Sequence, residues 1–543
     1  MSYQTWLEDT AAKRCVLVEA TINKLTSDAV GTDTVSIGIV TLYYSSSGYI
    51  TTNSDVYYQP IVLGGLKFNE SLSTDGTISI TYGDIELHNY SGTYDKYLDN
   101  TKYIWVNGSI KIYYGDPTWV CANHAEIVNG TASSFFELIF DGTIADIDSR
   151  DRNVLNIKVR DKLQRLNTPI TETKLGYTGV WGSGNQTNYD SIIPIVFGEV
   201  FNVSPMYRDP SILEYIVNNG NTEDLIEVRD NGVPVYTDGV WANGSGSWAS
   251  NTGIFTLANP LVGTITCDVQ GQKQKILFNA DRVSVPTLIA GTYDNNIAGI
   301  VALIVTQFGN IDTKLALSEL DPANFYDFYI NNTQPIGVFI TDRENTLDIC
   351  NQIVNSLGAQ LFFTRKGKLQ LLKLGVSIPT GTVARVNITT TDIVANTFYI
   401  SNRTAVIAAT KLGYCKNYTI QSDLVTAIPQ AHKDSYALDW LSETVVDVTI
   451  KNNYKLNADP IQKDTVLVTI AGASIEATRL NNYFKYVRTT YKFTGTSKLL
   501  SLQLGQEVSL AFPRFGLDAG VVGQVISLGP DWSKGLVEVE VLI

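Results

Sequence analysis

The stretch SIIPIVFGEVFNVSP, residues 191–205, sets an apolar strand pattern against two chain breakers. Pro194 lacks a backbone donor, Gly198 sits inside the run where the chain can adopt any backbone conformation, and Pro205 ends it. Beyond Gly198, Glu199, Phe201 and Val203 are expected on one face of a strand, with Val200 and Asn202 on the other. The pattern raises one question: what is a bend inside an apolar strand for?

At 543 residues the chain is too long for a single core, and three to four domains are expected. Hydrophobic residues make up 44% and charged residues 17%, the balance of a folded protein. The net charge of −14 argues against a general nucleic-acid binder, which would set a basic face against phosphate. The 29 tyrosines against 2 methionines suit pleated, half-exposed sheets. The charged N-terminus MSYQTWLEDTAAKRC does not read as a signal peptide, and synthesis in a cytoplasm is expected. Cys15, Cys121, Cys267, Cys350 and Cys415 are far apart with no CxxC pair, the pattern of reduced, mostly buried thiols.

The expected fold is mainly β and multidomain: antiparallel β-barrels or sandwiches with a small α+β helix-hairpin insertion. Residues 1–170 alternate strand after strand, with turn signals at Tyr82-Gly83-Asp84, Gly115-Asp116 and Asp141-Gly142. Residues 171–290 form a β-rich unit with Gly/Asn/Ser loops, in which Trp181, Trp241 and Trp248 need somewhere to pack. Residues 291–390 hold two helices. One carries Ile297, Ile300, Val301, Ile304, Val305 and Phe308 at helical spacing and stops at Gly309. The other is expected from a capping box of Thr341 and Glu344, with a stripe of Leu347, Cys350, Ile353, Val354 and Leu357 ended by Gly358. A hairpin turning at Lys366-Gly367 follows it. Residues 391–543 return to β. Val508, Leu510 and Phe512 share a face there, and a final hairpin turns between Pro530 and Gly535. Its last strand alternates Val537, Val539 and Val541 against Glu538 and Glu540.

Motifs for catalysis are missing from the sequence: no GxxxxGK[ST], no GxSxG and no HExxH. His88, His124 and His432 are isolated and read as surface or satisfied structural histidines. Asp141, Asp146, Asp148 and Asp151 cluster, but at no EF-hand spacing, and read as a solvated turn between strands. Carboxylate-pair glycosidase chemistry is neither supported nor excluded by 54 acidic residues. No catalytic, cofactor or metal residues are assigned, and no enzymatic activity or small-molecule substrate is expected.

Ile193-Pro194-Ile195-Val196-Phe197-Gly198-Glu199-Val200 resembles the "Ile-Pro-apolar-apolar-Tyr/Phe-Gly-x-Val" segment of bacteriophage tail-tip proteins, the baseplate hubs of long-tailed phages that include the lambda host-specificity protein. Two later features agree in order. The helix-hairpin with Gly358-Ala359 and Arg365-Lys366-Gly367 is similar to their mid-chain segment. The end, from Leu504-Gly505-Gln506-Glu507-Val508 to GLVEVEVL, is similar to their closing barrel, although the family usually reads Pro-Gly-Asp where this chain has Leu504-Gly505-Gln506. The resemblance spans roughly residues 190–543 and puts the family-motif positions at Ile193, Pro194, Phe197, Gly198, Gly358, Gly367, Leu504, Gly505 and Glu507.

The resemblance implies a non-enzymatic virion protein: a ring-shaped hub, trimeric by preference, at the distal end of a phage tail. Such a hub closes or extends the tail tube, holds a fibre or needle protein, contacts a distal tail or tube protein and lets genomic DNA pass. The bend at Gly198 would then carry the chain from one domain into the next part of the ring. The family's long C-terminal extension does not follow Ile543, so the hub alone is expected. Glu507, Glu538 and Glu540 are candidates for an acidic lumen that does not hold phosphate. Two other readings stay open: a carbohydrate-binding tail adhesin or spike using Trp181, Trp241 or Trp248, and a hexameric distal tail or tube-ring protein.

Overall fold

The computed structural model describes residues 3–9, 11–27, 35–64, 66–72, 78–129, 136–176, 188–242, 246–375, 385–422, 424–457 and 459–543. Strands dominate it, arranged in several sheets. The first sheet has nine strands in the order Tyr49–Ile50, Tyr57–Pro60, Val35–Ser45, Cys15–Ser27, Tyr103–Gly115, Glu137–Asp151, Val154–Arg160, Ile85–His88 and Val62–Gly64. Its long central strands carry bulges between Thr21 and Asn23 and between Leu138 and Phe140, which add twist and coil the sheet.

Tyr57–Pro60 pairs at one end of this sheet and Val62–Gly64 at the other, with Ile61 alone between them. Pro60 has no N–H to give, and the Ile61 N–H turns back on the Gln59 carbonyl at 2.9 Å, so the strand kinks and changes partner. The sheet therefore rolls until its two ends are consecutive in the chain. Among the described residues its ladder of hydrogen bonds stays open, so the expected barrel is realised as a rolled, sandwich-like sheet. Asp141-Gly142 is no turn, contrary to the sequence reading; it lies inside the fifteen-residue strand Glu137–Asp151. Gly142 serves close approach, since a Cβ there would stand 2.4 Å from the Phe140 ring and 2.7 Å from the Arg160 carbonyl oxygen.

The C-terminal sheet runs Val386–Ile388, Glu507–Leu510, Val521–Asp531, Leu536–Leu542, Thr489–Gly495, Tyr399–Arg403. A hairpin from the other end of the chain, Phe68–Leu72 with Ile78–Tyr82, adds to it through Ser71 opposite Ser527 and Glu70 opposite Leu528. The two ends of the chain consequently share one hydrophobic core, in which Val18, Ile112, Phe68 and Phe140 meet Val508, Val525 and Val539. Phe68 stacks on Phe140 with ring centroids 4.9 Å apart. Val537, Val539 and Val541 point into this core, and Glu538 and Glu540 face outward. The last turn starts after Asp531, because Pro530 still pairs with Val537 and Gly535 supplies the left-handed backbone.

Between the two ends lie a six-stranded sheet, a four-stranded sheet and a helical core. The helix Ile297–Gln307 is capped by the Asn296 side chain and buried from Ile297 to Thr306, so it is a core helix on every side. The helix after it in the sequence reading starts later than expected, at Thr346–Asn355, capped by Asn345 and not by Thr341 with Glu344. Asn345 Oδ1 accepts the N–H groups of both Leu347 and Asp348, while the Glu344 carbonyl is taken by the Ile170 N–H, which keeps the lead-in extended. The later start turns the buried stripe to Thr346, Ile349, Cys350, Ile353 and Val354, leaving Leu347 half-buried at its flank.

Candidate functional site

The strand Ile195–Val203 lies between two different strands in the six-stranded sheet. Ile195–Gly198 runs antiparallel to Gly337–Ile340, whereas Glu199 and Val200 lie opposite Gln270 and Val269. Gly198, where the first register ends and the second begins, has φ +67°, and a Cβ there would sit 1.9 Å from the Ile336 carbonyl oxygen. On the facing strand, a Cβ on Gly337 would come within 1.7 Å of the Glu199 oxygen. Only glycine allows the two backbones to cross this closely. Ile195 and Phe197 belong to the helical core, where Phe197 meets Phe308 edge-on at 4.8 Å. Val196, Val200 and Val203 belong to a separate β core with Leu225 and Val269. One bent strand is thus shared by two cores.

Past the bend the expected alternation breaks, because a bulge separates Val200 from Val203 and Asn202 adopts φ +52°. Asn202 turns inward with Val200 and Val203, while Glu199 and Phe201 are half-buried. Its N–H bonds Asp268 Oδ1 at 2.8 Å, and its Nδ2 donates to Asn417 Oδ1 at 2.8 Å and to the Thr419 carbonyl at 2.6 Å. Arg229 closes the same buried seam by a forked pair with Asp268, over the ring of Tyr436.

Gly358, Gly367, Leu504 and Gly505 gather on or against the hairpin Ala359–Phe363 and Leu369–Lys373, which is buried on both faces. Leu361, Phe363, Leu369 and Leu371 pack into the helical core, and Phe362 and Leu372 pack with Leu504, Ile526 and Leu542 of the C-terminal sheet. Gly358 begins the hairpin with φ +58° and Gly367 turns it with φ +71°. Gly505 lies directly on Leu372, where a Cβ would be 2.3 Å from Cδ1. Glu507 is ion-paired with Arg385. Ile193 and Pro194 are buried beside the bend.

Ion pairs tie this hairpin to its neighbours. Lys373, 4% exposed, donates to Glu476 Oε2 at 2.9 Å and Asn332 Oδ1 at 3.1 Å, and Arg479 holds the same carboxylate. Burial pulls the Lys373 ammonium down to about 8 in spite of Glu476. At the tip, Lys162 joins Asp141 at 2.9 Å and Glu319 at 3.5 Å, Arg365 lies 3.4 Å from Glu70, and Lys366 pairs with Glu137. None of these groups stood out in the sequence as a cluster. Asp141 was named only within an acidic run and Arg365 and Lys366 only as a hairpin turn, while Lys373 is a charge at the end of the apolar run LQLLK.

Outside these joints little chemistry converges. His124 Nε2 lies 2.7 Å from the buried Glu19, which also accepts the Tyr58 hydroxyl; His88 meets Tyr90 edge-on, and His432 is exposed. Asp141 and Asp148 are paired with Lys162 and Lys158. Among the described residues no group of three or more His, Cys, Asp or Glu is placed to hold a metal ion. Cys15, Cys121, Cys267 and Cys350 are buried and Cys415 is half-buried, all as free thiols. Trp241 packs on Tyr236 with Gly246 lying against its ring, and Trp248 is half-buried on the same core; Trp181 lies outside the described residues.

No protein-family model and no curated protein matches the sequence. Solved structures of similar shape include a chain of the virion of a native gene transfer agent particle, at 13% identity and a TM-score of 0.41 over 70% of this chain and 91% of that one. The 43 kDa tail protein of prophage MuSo2 from Shewanella oneidensis is similar at 11% identity and a TM-score of 0.36, over 96% of this chain and 98% of that one. A tail protein from Neisseria meningitidis MC58 is similar at 9% identity and a TM-score of 0.33, over 91% and 96% of the two chains.

Proposed function

We propose that this chain is a structural, non-enzymatic hub of a phage tail tip, assembled as a ring of three copies that closes or extends the tail tube and anchors a fibre or needle. The observation that carries the reading is where the tail-tip motif positions lie. Ile193 to Gly198, Gly358, Gly367, Leu504 and Gly505 are packing joints between cores, not an exposed reactive cluster. A protein that transmits force between units needs its distinctive residues at those joints, where a discrete rearrangement is possible.

On this reading Glu507, Glu538 and Glu540 face the DNA path. Glu507 pairs with Arg385, Glu538 with Lys67 at 3.1 Å, and Glu540 with Lys492 at 3.1 Å, so that surface is close to neutral. A neutral lining releases no counterions from passing phosphate and does not hold it. Negative-stain images of the purified protein should show rings with a central hole, and the rings should not retain duplex DNA at low salt. Solid particles without a hole, or tight DNA binding, would overturn the reading.

A further inference from the structure

A cavity of about 480 Å³ lies where the N-terminal strands, the tip of the hairpin and the C-terminal sheet meet. That volume suits a small organic ligand. Its apolar lining is Leu138, Ile139, Phe362, Leu500 and Leu504. The turn Arg365-Lys366-Gly367-Lys368 brings three cations to the same space, in a chain whose net charge is −14.

The counter-charges there are unequal. Lys366 has Glu137 as its partner. Lys368 donates to the carbonyl of Ser318, a neutral acceptor. Arg365, its side chain 10% exposed, uses Nη2 on the Leu502 carbonyl, stands 5.9 Å from the Trp532 ring and lies 3.4 Å from Glu70. Glu70 is 3% exposed, and burial raises its carboxyl against the opposing pull of Arg365. The other acid on the wall, Asp321, accepts from the Asn324 N–H and from Gln370 Nε2 at 2.8 Å. The guanidinium has five N–H groups in a planar fork suited to a carboxylate or phosphate.

We propose that this cavity binds an organic anion with an apolar body, the anionic head on Arg365 and Lys368 and the body against Phe362 and Leu504. The inference is independent of the hub reading. The same chemistry is offered by a free amphiphile and by the C-terminal carboxylate of an apolar polypeptide end.

The test is calorimetric titration of the full chain with octanoate, with 1-octanol, and with an apolar hexapeptide as its free acid and as its amide. Octanoate should saturate one site and bind at least about tenfold more tightly than octanol. Arg365→Gln should weaken it about tenfold and Lys368→Gln severalfold. Tighter binding of the free-acid peptide than of octanoate, with no binding of the amide, would identify a polypeptide end as the source. Binding of octanoate alone would identify a free amphiphile. If Arg365→Gln fails to fold, the exposed Lys368→Gln variant and weakening of octanoate by salt decide. Equal binding of octanol, indifference to both substitutions, or no saturation by any anion would overturn the proposal.

Discussion

Gly198 is the residue on which the central joint depends, and two separate costs meet there. Its backbone is left-handed, which costs a residue with a side chain about 1–2 kcal/mol, and a Cβ would strike the Ile336 carbonyl oxygen at 1.9 Å. Gly291 shares the first feature, with φ +75°, but has open space around it. Gly198→Ala should therefore lose about 3 kcal/mol or more, and Gly291→Ala only about 1 kcal/mol, in denaturant unfolding. Equal losses would show that the crossing of the two strands is not tight. Lys373 gives a residue-scale prediction in pH. Its ammonium titrates near 8 in the folded chain, against an ordinary lysine value of about 10.4 in the unfolded one. Between those values the unfolded state binds the extra proton, so this group's contribution is full above the upper value and is lost as pH falls toward 8. Stability of the wild type relative to Lys373→Met should rise from pH 8 to pH 10, and a flat difference would contradict the burial of a charged lysine. The bend at Gly198 was legible from sequence because a glycine inside an apolar strand is rare. The kink at Asn202 was not, because its cause is a partner 215 residues away, Asn417.

Among the elements, the strands of the C-terminal hairpin and the helix Ile297–Gln307 were readable from local periodicity, which burial then obeys. The start of the helix Thr346–Asn355 was misread because two cap signals compete within five residues. Tertiary pairing of residues 169 and 170 with 344 and 345 selects the later one. Asn345→Ala should accordingly cost about 1 kcal/mol, while Thr341→Ala, at an exposed position, should cost little. The reverse order in thermal unfolding would restore the earlier start. Ile353, fully buried on this helix, should not tolerate Asp: an unpaired buried charge costs several kcal/mol, and insoluble protein is expected. A soluble, cooperatively folding Ile353→Asp variant would place the stripe toward solvent. Asp141-Gly142 was read as a turn because composition does not distinguish a glycine needed for a bend from one needed for contact with Phe140.

At the scale of the whole molecule, sequence patterning announced β structure at both ends of the chain but not that the ends build one core. That union rests on Phe68 beside Phe140 and on a hairpin bonded to a strand more than 450 residues later, and long-range pairing leaves no local periodicity to read. The middle of the chain is held to this body by the hairpin Ala359–Lys373, with one face in each neighbour. The interior accounts for the packing of one copy. The ring requires contacts between copies, and its size is the claim on which the functional account turns. The most direct measurement is the mass of the purified chain in solution, by light scattering across a tenfold range of concentration. The account predicts a stable species of three times the 59.7 kDa chain mass, whereas a species of single-chain mass at every concentration would contradict it.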